Sequence, residues 1–253
     1  MKNPKSILIT GASSGIGQAL AVEYANEGII LFLSGRNANR LEDVKNLCQA
    51  NGAKAYTKII DVSDEEGMAQ WISECDAIQP LDLVIANAGI SGSMGKKEGL
   101  AAHTKEIFKT NVDGVFNTIH PTLPFMRERQ KGQIALVSSM AGYHGMPSAP
   151  AYSTSKVTVK AYGEALRGLY HDQGLEVNVI CPGFVRSRMT DQNKFHMPFF
   201  MEAERAAKII KRDLGKNKAH IAFPWQTKML LSLMVRLLPE SLIGRILRST
   251  PSK

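Results

Sequence analysis

The sequence has few cysteines, and nothing in their spacing would pair them. Cys48, Cys75 and Cys181 are the three cysteines of the 253-residue chain, and they lie far apart with no CxxC pattern. This spacing argues against a disulfide framework or a zinc site and predicts reduced thiols in a cytoplasmic compartment. The six histidines show no ligand spacing either, so we expect no metal.

Long apolar runs and linkers are also absent. No stretch reaches the roughly 18 apolar residues needed to span a bilayer. The amino-terminal apolar run is too short for a secretory signal, and glycines break it at once. No repeat, low-complexity tract or Pro/Gly/Ser-rich linker divides the chain. We therefore expect one domain over residues 1–253, cytoplasmic, with membrane association left open for its last segment.

The chain is basic, with 31 lysines and arginines against 23 acidic residues and a formal net charge of +8. This balance suits anionic partners, but charge alone does not choose among a phosphorylated cofactor, nucleic acid and a membrane surface. Because no recognisable module or arginine/aromatic platform accompanies the charge, we expect no nucleic-acid partner.

Short β-rich apolar segments alternate with segments of helical periodicity. The predicted strands are residues 6–10, 29–34, 56–60, 81–86, 133–138, 176–180 and 220–223, and the helical segments include residues 17–27, 40–51, 65–78 and 152–172. Strands separated by helices need crossover connections, which produce a parallel sheet covered on both faces. The predicted fold is therefore α/β, a doubly wound parallel seven-stranded sheet of the Rossmann type. In such folds ligands bind beyond the carboxyl ends of the strands.

The first predicted strand runs into a glycine-rich stretch, TGASSGIG, at residues 10–17. Gly11, Gly15 and Gly17 let the backbone turn tightly and approach a ligand closely. The helix that follows presents free N–H groups and a positive dipole end to a pyrophosphate. A plain strand–helix turn would also explain three glycines, but their place between a first strand and a helix favours a dinucleotide site.

The second predicted strand ends in Ser34, Gly35 and Arg36, and Arg40 lies one helical turn further on. A cofactor with a free ribose 2′-hydroxyl is usually held here by a carboxylate, and the sequence has none at this place. The planar guanidinium of arginine suits phosphate, so we expect NADP rather than NAD, unless Arg36 is only a solvated loop residue.

Two further strand ends carry residues whose interpretation stays open. Asp61 follows the third strand, where it could bond the adenine amino group or cap the helix that begins near Ser63. Asn87, Ala88 and Gly89 follow the fourth strand, where they could line the site or form a simple turn.

Tyr152 stands four residues before Lys156 and follows Ser139 at the end of the fifth predicted strand. Residues four apart on a helix share a face, so the lysine can stand behind the tyrosine. An ammonium group about 6 Å away, at an effective dielectric near 20, would contribute roughly 3 kcal/mol. That would lower the phenol pKa from about 10 toward about 8, where tyrosine can donate and accept a proton. Taken alone, such a pair more often belongs to a helix surface.

Together these motifs resemble the short-chain dehydrogenase/reductase family in its short, single-domain form. The resemblance covers residue 6 to about residue 187 and continues more loosely to residue 223. It rests on TGASSGIG, Asp61, NAG at residues 87–89, Asn111, Ser139, YSTSK at residues 152–156 and PG at residues 182–183. Each motif is weak alone, whereas their shared order and spacing are highly specific. The GxxxGxG spacing of the glycines also argues against the sugar-nucleotide epimerase branch.

The resemblance implies four catalytic residues with separate roles. Tyr152 would be the general acid/base that protonates a carbonyl oxygen or deprotonates an alcohol. Lys156 would lower the pKa of that phenol and hold the nicotinamide ribose. Ser139 would hydrogen-bond the reacting oxygen, and Asn111 would help to organise a water-linked proton relay toward Lys156.

The resemblance also implies a cofactor site assembled from the strand ends. Besides Tyr152 and Lys156, its expected residues are Gly11, Ser13, Ser14, Gly15, Ile16, Gly17, Arg36, Asp61, Val62, Asn87, Ala88, Gly89, Pro182, Gly183, Val185 and Ser187. The glycine-rich stretch would surround the pyrophosphate, and Arg36 would face the 2′-phosphate. Asp61 and Val62 would face the adenine. Residues 87–89 would line the adenosine side, and the segment after residue 183 would meet the nicotinamide carboxamide. Family members often carry threonine where Ser187 stands, but the hydroxyl is kept.

The carboxyl-terminal segment, residues 224–253, is predicted to be an amphipathic helical extension. Two short apolar helices flank Pro239, and the segment carries five basic residues against one acidic residue. The basic residues are Lys228, Arg236, Arg245, Arg248 and Lys253, and the acidic residue is Glu240. Residues 225–249 could therefore contact a membrane interface, pack against another subunit or lengthen the substrate pocket. The loop 189–201 is rich in methionine and phenylalanine, which favours a partly apolar substrate or a lid that packs on the domain's own core.

These observations predict an NADP-dependent oxidoreductase that interconverts a carbonyl and an alcohol on a small, partly apolar molecule by hydride transfer. The alternative is a catalytically idle NADP-binding regulatory or scaffold protein, which would have no chemical need for all four catalytic residues. We expect the chain to assemble into a homodimer or homotetramer.

Overall fold

In a computed structural model of the chain, the residues described are 1–91, 99–193 and 197–248. Lys253 and residues 194–196 of the loop 189–201 lie outside them. The strands are β1 (Ser6–Thr10), β2 (Ile30–Gly35), β3 (Lys54–Ile59), β4 (Leu83–Ala86), β5 (Gly132–Val137), β6 (Leu175–Pro182) and β7 (His220–Phe223). The helices are α1 (Gly15–Tyr24), α2 (Ala38–Ala50), α3 (Glu65–Ile78), α4 (Gly99–Phe108), α5 (Gly114–Ile119), α6 (Thr122–Glu128), α7 (Pro150–Leu169), α8 (Ala203–Leu214), α9 (Trp225–Leu237) and α10 (Glu240–Arg248).

The strands form one sheet in the order β3-β2-β1-β4-β5-β6-β7. Every neighbouring pair in that order is parallel. After β3 the chain crosses the sheet to β4, which pairs with the other side of β1. The predicted doubly wound, seven-stranded parallel sheet is therefore confirmed.

Alternate residues of the strands point into two cores, one on each face of the sheet. Ile7 and Ile9 of β1 belong to a core that α1, α2 and α8 cover. Leu8, between them, belongs to a second core that α3, α5, α6 and α7 cover. This two-residue alternation follows from the pleat of a strand. Helices on both faces bury β1, β4 and β5 completely, which explains why these strands are largely apolar, whereas the edge strand β3 stays partly exposed.

The predicted element boundaries agree with the structure to within a few residues. α3 begins and ends where its periodicity predicts. β6 continues beyond its predicted end to Pro182, which is paired with Phe223 of β7. α7 begins before Tyr152, at Pro150. Proline suits a first helical turn because its missing N–H would have no partner there.

The carboxyl-terminal helices follow β7 directly. α9 begins at Trp225 and packs on a 3₁₀ turn, Met140–Tyr143, that follows β5. α10 begins after Pro239, so two short helices flank the proline as predicted. Within the described ranges, no helix is both long enough and apolar enough to cross a membrane.

Phe32 provides a test of the core beneath β2 and β3. Its fully buried ring stacks on Tyr56 at a centroid distance of 5.4 Å and meets the edge of Trp71 at 6.0 Å. Phe32→Ala should lower the free energy of unfolding by about 3–5 kcal/mol, because it leaves a cavity among these rings. Urea unfolding measures this loss.

The matched control is Leu169→Ala at the end of α7, where the side chain is 63% exposed. It should change the unfolding free energy by no more than about 0.5 kcal/mol. A loss for Phe32→Ala as small as that of the control would contradict the described packing.

Candidate active site

The turn after β1 is shaped by glycines that no other residue could replace without strain. Gly11 has a φ of +66° and Gly15 a φ of +56°, values in the left-handed region that favours glycine. A Cβ on Gly11 would lie 2.8 Å from Ala88 Cα. A Cβ on Gly17 would lie 2.4 Å from the carbonyl oxygen of Gly11. The turn is therefore packed tightly against the loop after β4.

Asn87 and Thr10 fasten the loop after β4 to the turn after β1. The Thr10 hydroxyl accepts hydrogen bonds from the backbone N–H groups of Asn87 and Ala88 at 3.0 and 3.1 Å. The Asn87 amide donates to the carbonyl of Thr10 at 2.9 Å and to that of Gly11 at 3.3 Å. Asn87 thus holds two strand ends together, which is more than a simple turn requires.

The first backbone N–H groups of α1 donate no hydrogen bond to the side chain at its cap position. Ser14 occupies the cap position, but its side chain makes no capping hydrogen bond. The N–H groups of the first helical turn, from Gly15 to Gly17, have no partner within the helix. Ser13, Ser14, Gly15 and Ile16 are all partly exposed at this edge. The geometry suits an anion at the helix start.

The segment after β6 lies over the same turn. Pro182 ends β6 and Gly183 follows it, with the N–H of Gly183 donating to the carbonyl of Phe223 at 2.8 Å. A Cβ on Gly15 would lie 2.9 Å from Ser187 Cβ, so Ser187 lies directly over the glycine turn. Val185 is buried and forms an isolated β-bridge with Met201.

Arg36 and Asp61 meet where β2 and β3 end. Arg36 Nη1 lies 3.4 Å from Asp61 Oδ2, and the Arg36 side chain is 61% exposed. Burial acts to raise the pKa of Asp61, but hydrogen bonds from Ser63 and Arg36 and the charge of Arg36 bring it below its usual value. The sequence assigned these two residues to separate parts of a nucleotide, whereas the structure joins them.

The capping role considered for Asp61 is wrong. The side chain of Asp61 accepts from the N–H of Ser63 at 3.0 Å, two residues on and before α3 begins. Asp64 is the cap of α3, and its carboxylate accepts from the N–H of Gly67 at 3.0 Å. Asp61 is therefore held in a local turn, away from the helix end.

Arg40 carries an unsatisfied donor beside this corner. Its backbone N–H donates to the cap residue Asn37 at 3.0 Å, which places Arg40 in the first turn of α2. The Nε atom of its guanidinium is buried and has no hydrogen-bond partner in the part of the chain that the structure describes. The hydroxyl of Ser34, at the end of β2, is also buried without a partner. Buried polar groups normally find partners, so these two atoms depart from the usual pattern at the end of β2.

Tyr152 and Ser139 face each other at the end of β5. Tyr152 lies in the first turn of α7, and its hydroxyl is hydrogen-bonded to the side chain of Ser139. The Ser139 hydroxyl also accepts from the N–H of Ala141 at 3.1 Å and lies 3.5 Å from the carbonyl of Pro182. Three elements thus hold the serine against the phenol.

Lys156 is a buried lysine, and no carboxylate of the described residues forms an ion pair with it. Only 4% of its surface is exposed, and its Nζ donates to the carbonyl of Val137 at 3.0 Å. Nζ also lies 5.8 Å from the centre of the Tyr152 ring. Burial lowers the pKa of Lys156 to about 8, and the nearby Cys181 acts in the opposite direction. The ammonium group is thus ready to lose its proton near physiological pH.

The expected direction of the Tyr152 pKa shift is corrected by the structure. We expected Lys156 to bring this pKa from about 10 toward about 8. Burial instead raises the pKa of Tyr152 above its usual value, and the hydrogen bond from Ser139 offsets part of that rise. Desolvation disfavours the charged form of both groups, and the distance between Tyr152 and Lys156 does not reflect this desolvation.

Asn111 lies in a short π-helical turn, Lys109–Asp113, and is fully buried. Its Oδ1 accepts from the N–H of Ile90 at 2.8 Å, and its Nδ2 donates to the carbonyl of Ile90 at 3.0 Å. Nδ2 also donates to the hydroxyl of Ser155 at 3.1 Å. Both amide hydrogens are used, and Oδ1 keeps one free acceptor site. Asn111 therefore binds the loop after β4 to α7.

Gly89 and Val62 occupy confined positions beside these residues. A Cβ on Gly89 would lie 3.2 Å from Asn111 Oδ1 and 3.3 Å from Lys156 Nζ. Gly89 thus lies between the two polar side chains. Val62 is buried, and its carbonyl accepts from the Asn117 amide at 3.0 Å.

Several residues that shape the site were not singled out from the sequence. Thr10 and Ile90 serve as partners for Asn87 and Asn111. Thr190 donates to the carbonyl of Val185 at 2.9 Å and accepts from the N–H of Ser187 at 2.9 Å. The closeness of Thr190 to Ser187 in the sequence was the one available signal, because hydroxyls at this spacing often close turns.

The carboxyl edge of the sheet therefore combines a glycine-lined cradle, suited to a dinucleotide, with a hydrogen-bonded Ser139–Tyr152 pair and a buried Lys156. This arrangement defines the class, a nucleotide-binding oxidoreductase of the Rossmann type. The family model for short chain dehydrogenases matches residues 5–197. The chain belongs to the short-chain dehydrogenase family, and the predicted family is confirmed.

Known proteins match most of the chain in sequence or in fold. An uncharacterized oxidoreductase of Myxococcus xanthus (strain DK1622) is 36% identical over 245 residues, which are 96% of each chain. A short-chain dehydrogenase from Sphingobium yanoikuyae, solved in complex with NADPH, has a TM-score of 0.80 at 19% identity, covering 97% of this chain and 96% of that one. A short chain dehydrogenase from Mycobacterium paratuberculosis bound to NAD has a TM-score of 0.76 at 22% identity, covering 87% and 96%.

The low pKa of Lys156 predicts a pH-dependent contribution to stability. The unfolded chain keeps this proton up to a pH near the ordinary value of 10.5, whereas the folded chain releases it near 8. Between these values unfolding takes up a proton, so the free energy of unfolding attributable to Lys156 rises with pH. The expected slope is at most about 1.4 kcal/mol per pH unit.

The Lys156→Met variant isolates this contribution from the other titrating groups. Urea unfolding of both proteins between about pH 7 and about pH 9.5 gives the difference between their free energies of unfolding at each pH. The advantage of the variant should shrink as pH rises through 8. A pH-independent difference would show that Lys156 is not held in a dry environment.

Proposed function

We propose that the protein is an NADP-dependent oxidoreductase that interconverts a carbonyl and an alcohol, with Tyr152 as the general acid/base. The observation that carries this proposal is the hydrogen-bonded Ser139–Tyr152 pair beside the buried Lys156, at the sheet edge that holds the glycine turn. A nicotinamide cofactor supplies the hydride in such reactions, and the protein supplies position and a proton.

The residues at the strand ends fit a dinucleotide. The glycine turn brings backbone to a ligand with no side chain in the way, and the uncapped start of α1 offers its N–H groups to phosphate. Ser13, Ser14 and Ser187 surround the same opening. We assign Gly11 to Gly17 to the pyrophosphate, Asp61 and Val62 to the adenine, and Val185 and Ser187 to the nicotinamide end.

The preference for NADP rests on two arginines. Gly35 stands where a carboxylate would hold a free 2′-hydroxyl, Arg36 follows it, and the buried Nε of Arg40 has no partner among the described residues. A 2′-phosphate would provide acceptors for both guanidinium groups. The Sphingobium yanoikuyae structure contains NADPH and the Mycobacterium paratuberculosis structure contains NAD. Both cofactors therefore occur on this fold, and the arginines favour the phosphorylated one.

The proton transfer is assigned to four residues acting together. In the reducing direction, the hydroxyl of Tyr152 donates its proton to the substrate oxygen, and Ser139 holds that oxygen by a hydrogen bond. The Lys156 ammonium stabilises the phenolate that remains, and charge on the phenolate in turn helps Lys156 to keep its proton. The free acceptor site of Asn111 Oδ1 provides a place for a water that returns a proton toward Lys156.

The substrate is proposed to be a small, partly apolar carbonyl compound. The buried Met140 lies in the 3₁₀ turn after Ser139, and α9 packs on that turn. Met201 packs into the domain core, whereas Phe199 is exposed. NADPH oxidation measured against ketones, 3-oxoacyl thioesters, steroids and keto sugars would identify the class. The idle-scaffold alternative gains no support from an intact set of four catalytic groups.

Tyr152→Phe tests the acid/base assignment. Removing the hydroxyl should reduce kcat by at least about 100-fold, as expected when a general acid/base is lost. Binding of NADPH, measured by its fluorescence, should stay nearly unchanged, because the glycine turn is untouched.

Tyr162→Phe on the same helix is the control, because its hydroxyl bonds His120 at 2.8 Å outside the site. It should retain normal turnover. The acid/base assignment would be rejected by a Tyr152→Phe enzyme as active as this control.

Arg36→Ala tests the cofactor preference. Loss of a charge-assisted hydrogen bond, about 1.5–3 kcal/mol, should lower kcat/KM for NADPH roughly 10- to 100-fold. The value for NADH should change far less, because NADH carries no 2′-phosphate. Steady-state kinetics with both cofactors measures the ratio.

The control is Lys131→Ala at the opposite edge of the sheet, where Lys131 precedes β5 and pairs with Asp82 at 3.4 Å. It removes the same charge and should leave both values unchanged. Preference for NADH in the wild-type enzyme, or an equal loss with both cofactors in Arg36→Ala, would count against the NADP assignment.

A further inference from the structure

α9 is an apolar helix that buries none of its residues. Trp225 and Leu230 are each 65% exposed, and Leu237 is 72% exposed. Met229 and Leu233 are also exposed. Large apolar side chains are commonly exposed singly on proteins, but a contiguous group of this size marks an interaction surface.

Five of the six large apolar residues exposed on α9 share one side of the helix, and Val235 is exposed on another side. Trp225, Met229, Leu233 and Leu237 follow each other at intervals of four, which places them in one row, with Leu230 beside it. We call these five residues the α9 face. Met234 and Leu231, on another side, are partly covered. The helix thus lies on the domain with its apolar row directed away from it.

α10 extends this surface and is anchored to the domain. Ile243 and Leu247 are buried, whereas Leu242 and Ile246 are exposed. One side of α10 therefore packs on the domain, and another side presents apolar side chains to solvent. The carboxylate of Glu240 at the start of α10 lies 3.3 Å from His144 Nε2, which ties the helix to the segment after β5.

Basic side chains accompany the apolar face. Lys228, Arg236, Arg245 and Arg248 are all exposed, and Glu240 is the one acidic residue between residues 225 and 248. Within the described residues, none of these four cations forms an ion pair of 4 Å or less. An apolar row beside unpaired cations is the pattern of helices that lie in the interface of an anionic membrane.

We propose that α9 and α10 bind the surface of an anionic lipid membrane. The α9 face enters the boundary between headgroups and acyl chains, and the four basic residues contact acidic headgroups. The proposal concerns binding alone and does not rest on the proposed reaction.

A second copy of the chain fits this surface less well. A two-fold interface brings the same patch of both chains together, so it would set one cationic segment against another. An anionic lipid surface instead complements the charge that accompanies the apolar row.

Co-sedimentation of the full chain with lipid vesicles tests the proposal. The protein should bind vesicles of phosphatidylcholine with phosphatidylserine, bind phosphatidylcholine alone more weakly, and lose affinity as salt is added. The double variant L230E/L237E should bind at least about 10-fold more weakly, because two carboxylates replace inserting side chains. Its fold is checked by circular dichroism, since both positions are exposed.

Leu169→Glu is the matched control, because Leu169 is similarly exposed on a different helix. It should bind vesicles like the wild type. Equal binding by wild type and L230E/L237E, or no binding by the wild type, would overturn the proposal. So would a dimer in analytical ultracentrifugation that L230E/L237E dissociates, because the α9 face would then belong to a second copy.

Discussion

The candidate site depends on the parallel direction of all seven strands. Parallel neighbours can be joined only by crossovers, so every strand ends at the same edge of the sheet. The crossing from β3 to β4 places the loops after β1 and β4 side by side. There Asn87 joins the two loops through Thr10 and Gly11. The tight glycine turn owes its shape to this junction as much as to its own residues.

Burial of one ammonium group connects the fold to the proposed chemistry. A charged lysine in a dry environment is costly for folding, and the pKa of Lys156 falls accordingly to about 8. The same dryness raises the pKa of Tyr152. Burial therefore disfavours the charged form of each group taken separately. In the proposed reaction, each charge would stabilise the other when a proton moves. In that reaction, Ser139 and Asn111 would maintain the geometry that this exchange requires.

The molecule has two specialised regions that follow opposite physical rules. At the carboxyl edge of the sheet, polar groups are withdrawn from water and held by the protein. On α9, apolar groups are presented to water and accompanied by cations. We propose a partner for each region, a dinucleotide at the sheet edge and an anionic membrane at α9. The 3₁₀ turn after β5 lies between the two regions and contacts α9.

Local sequence determined the strands, the glycine turn, the Tyr152–Lys156 helix face and the two helices around Pro239, because these depend on short-range periodicity and on residue conformational preference. The tertiary structure alone decided the rest. Asn111 clamps Ile90 and Ser155, which are 21 and 44 residues away. The direction of the Tyr152 pKa shift and the exposure of α9 also had to come from the folded chain. Both depend on how much water remains around a group, and that is decided by residues distant in sequence.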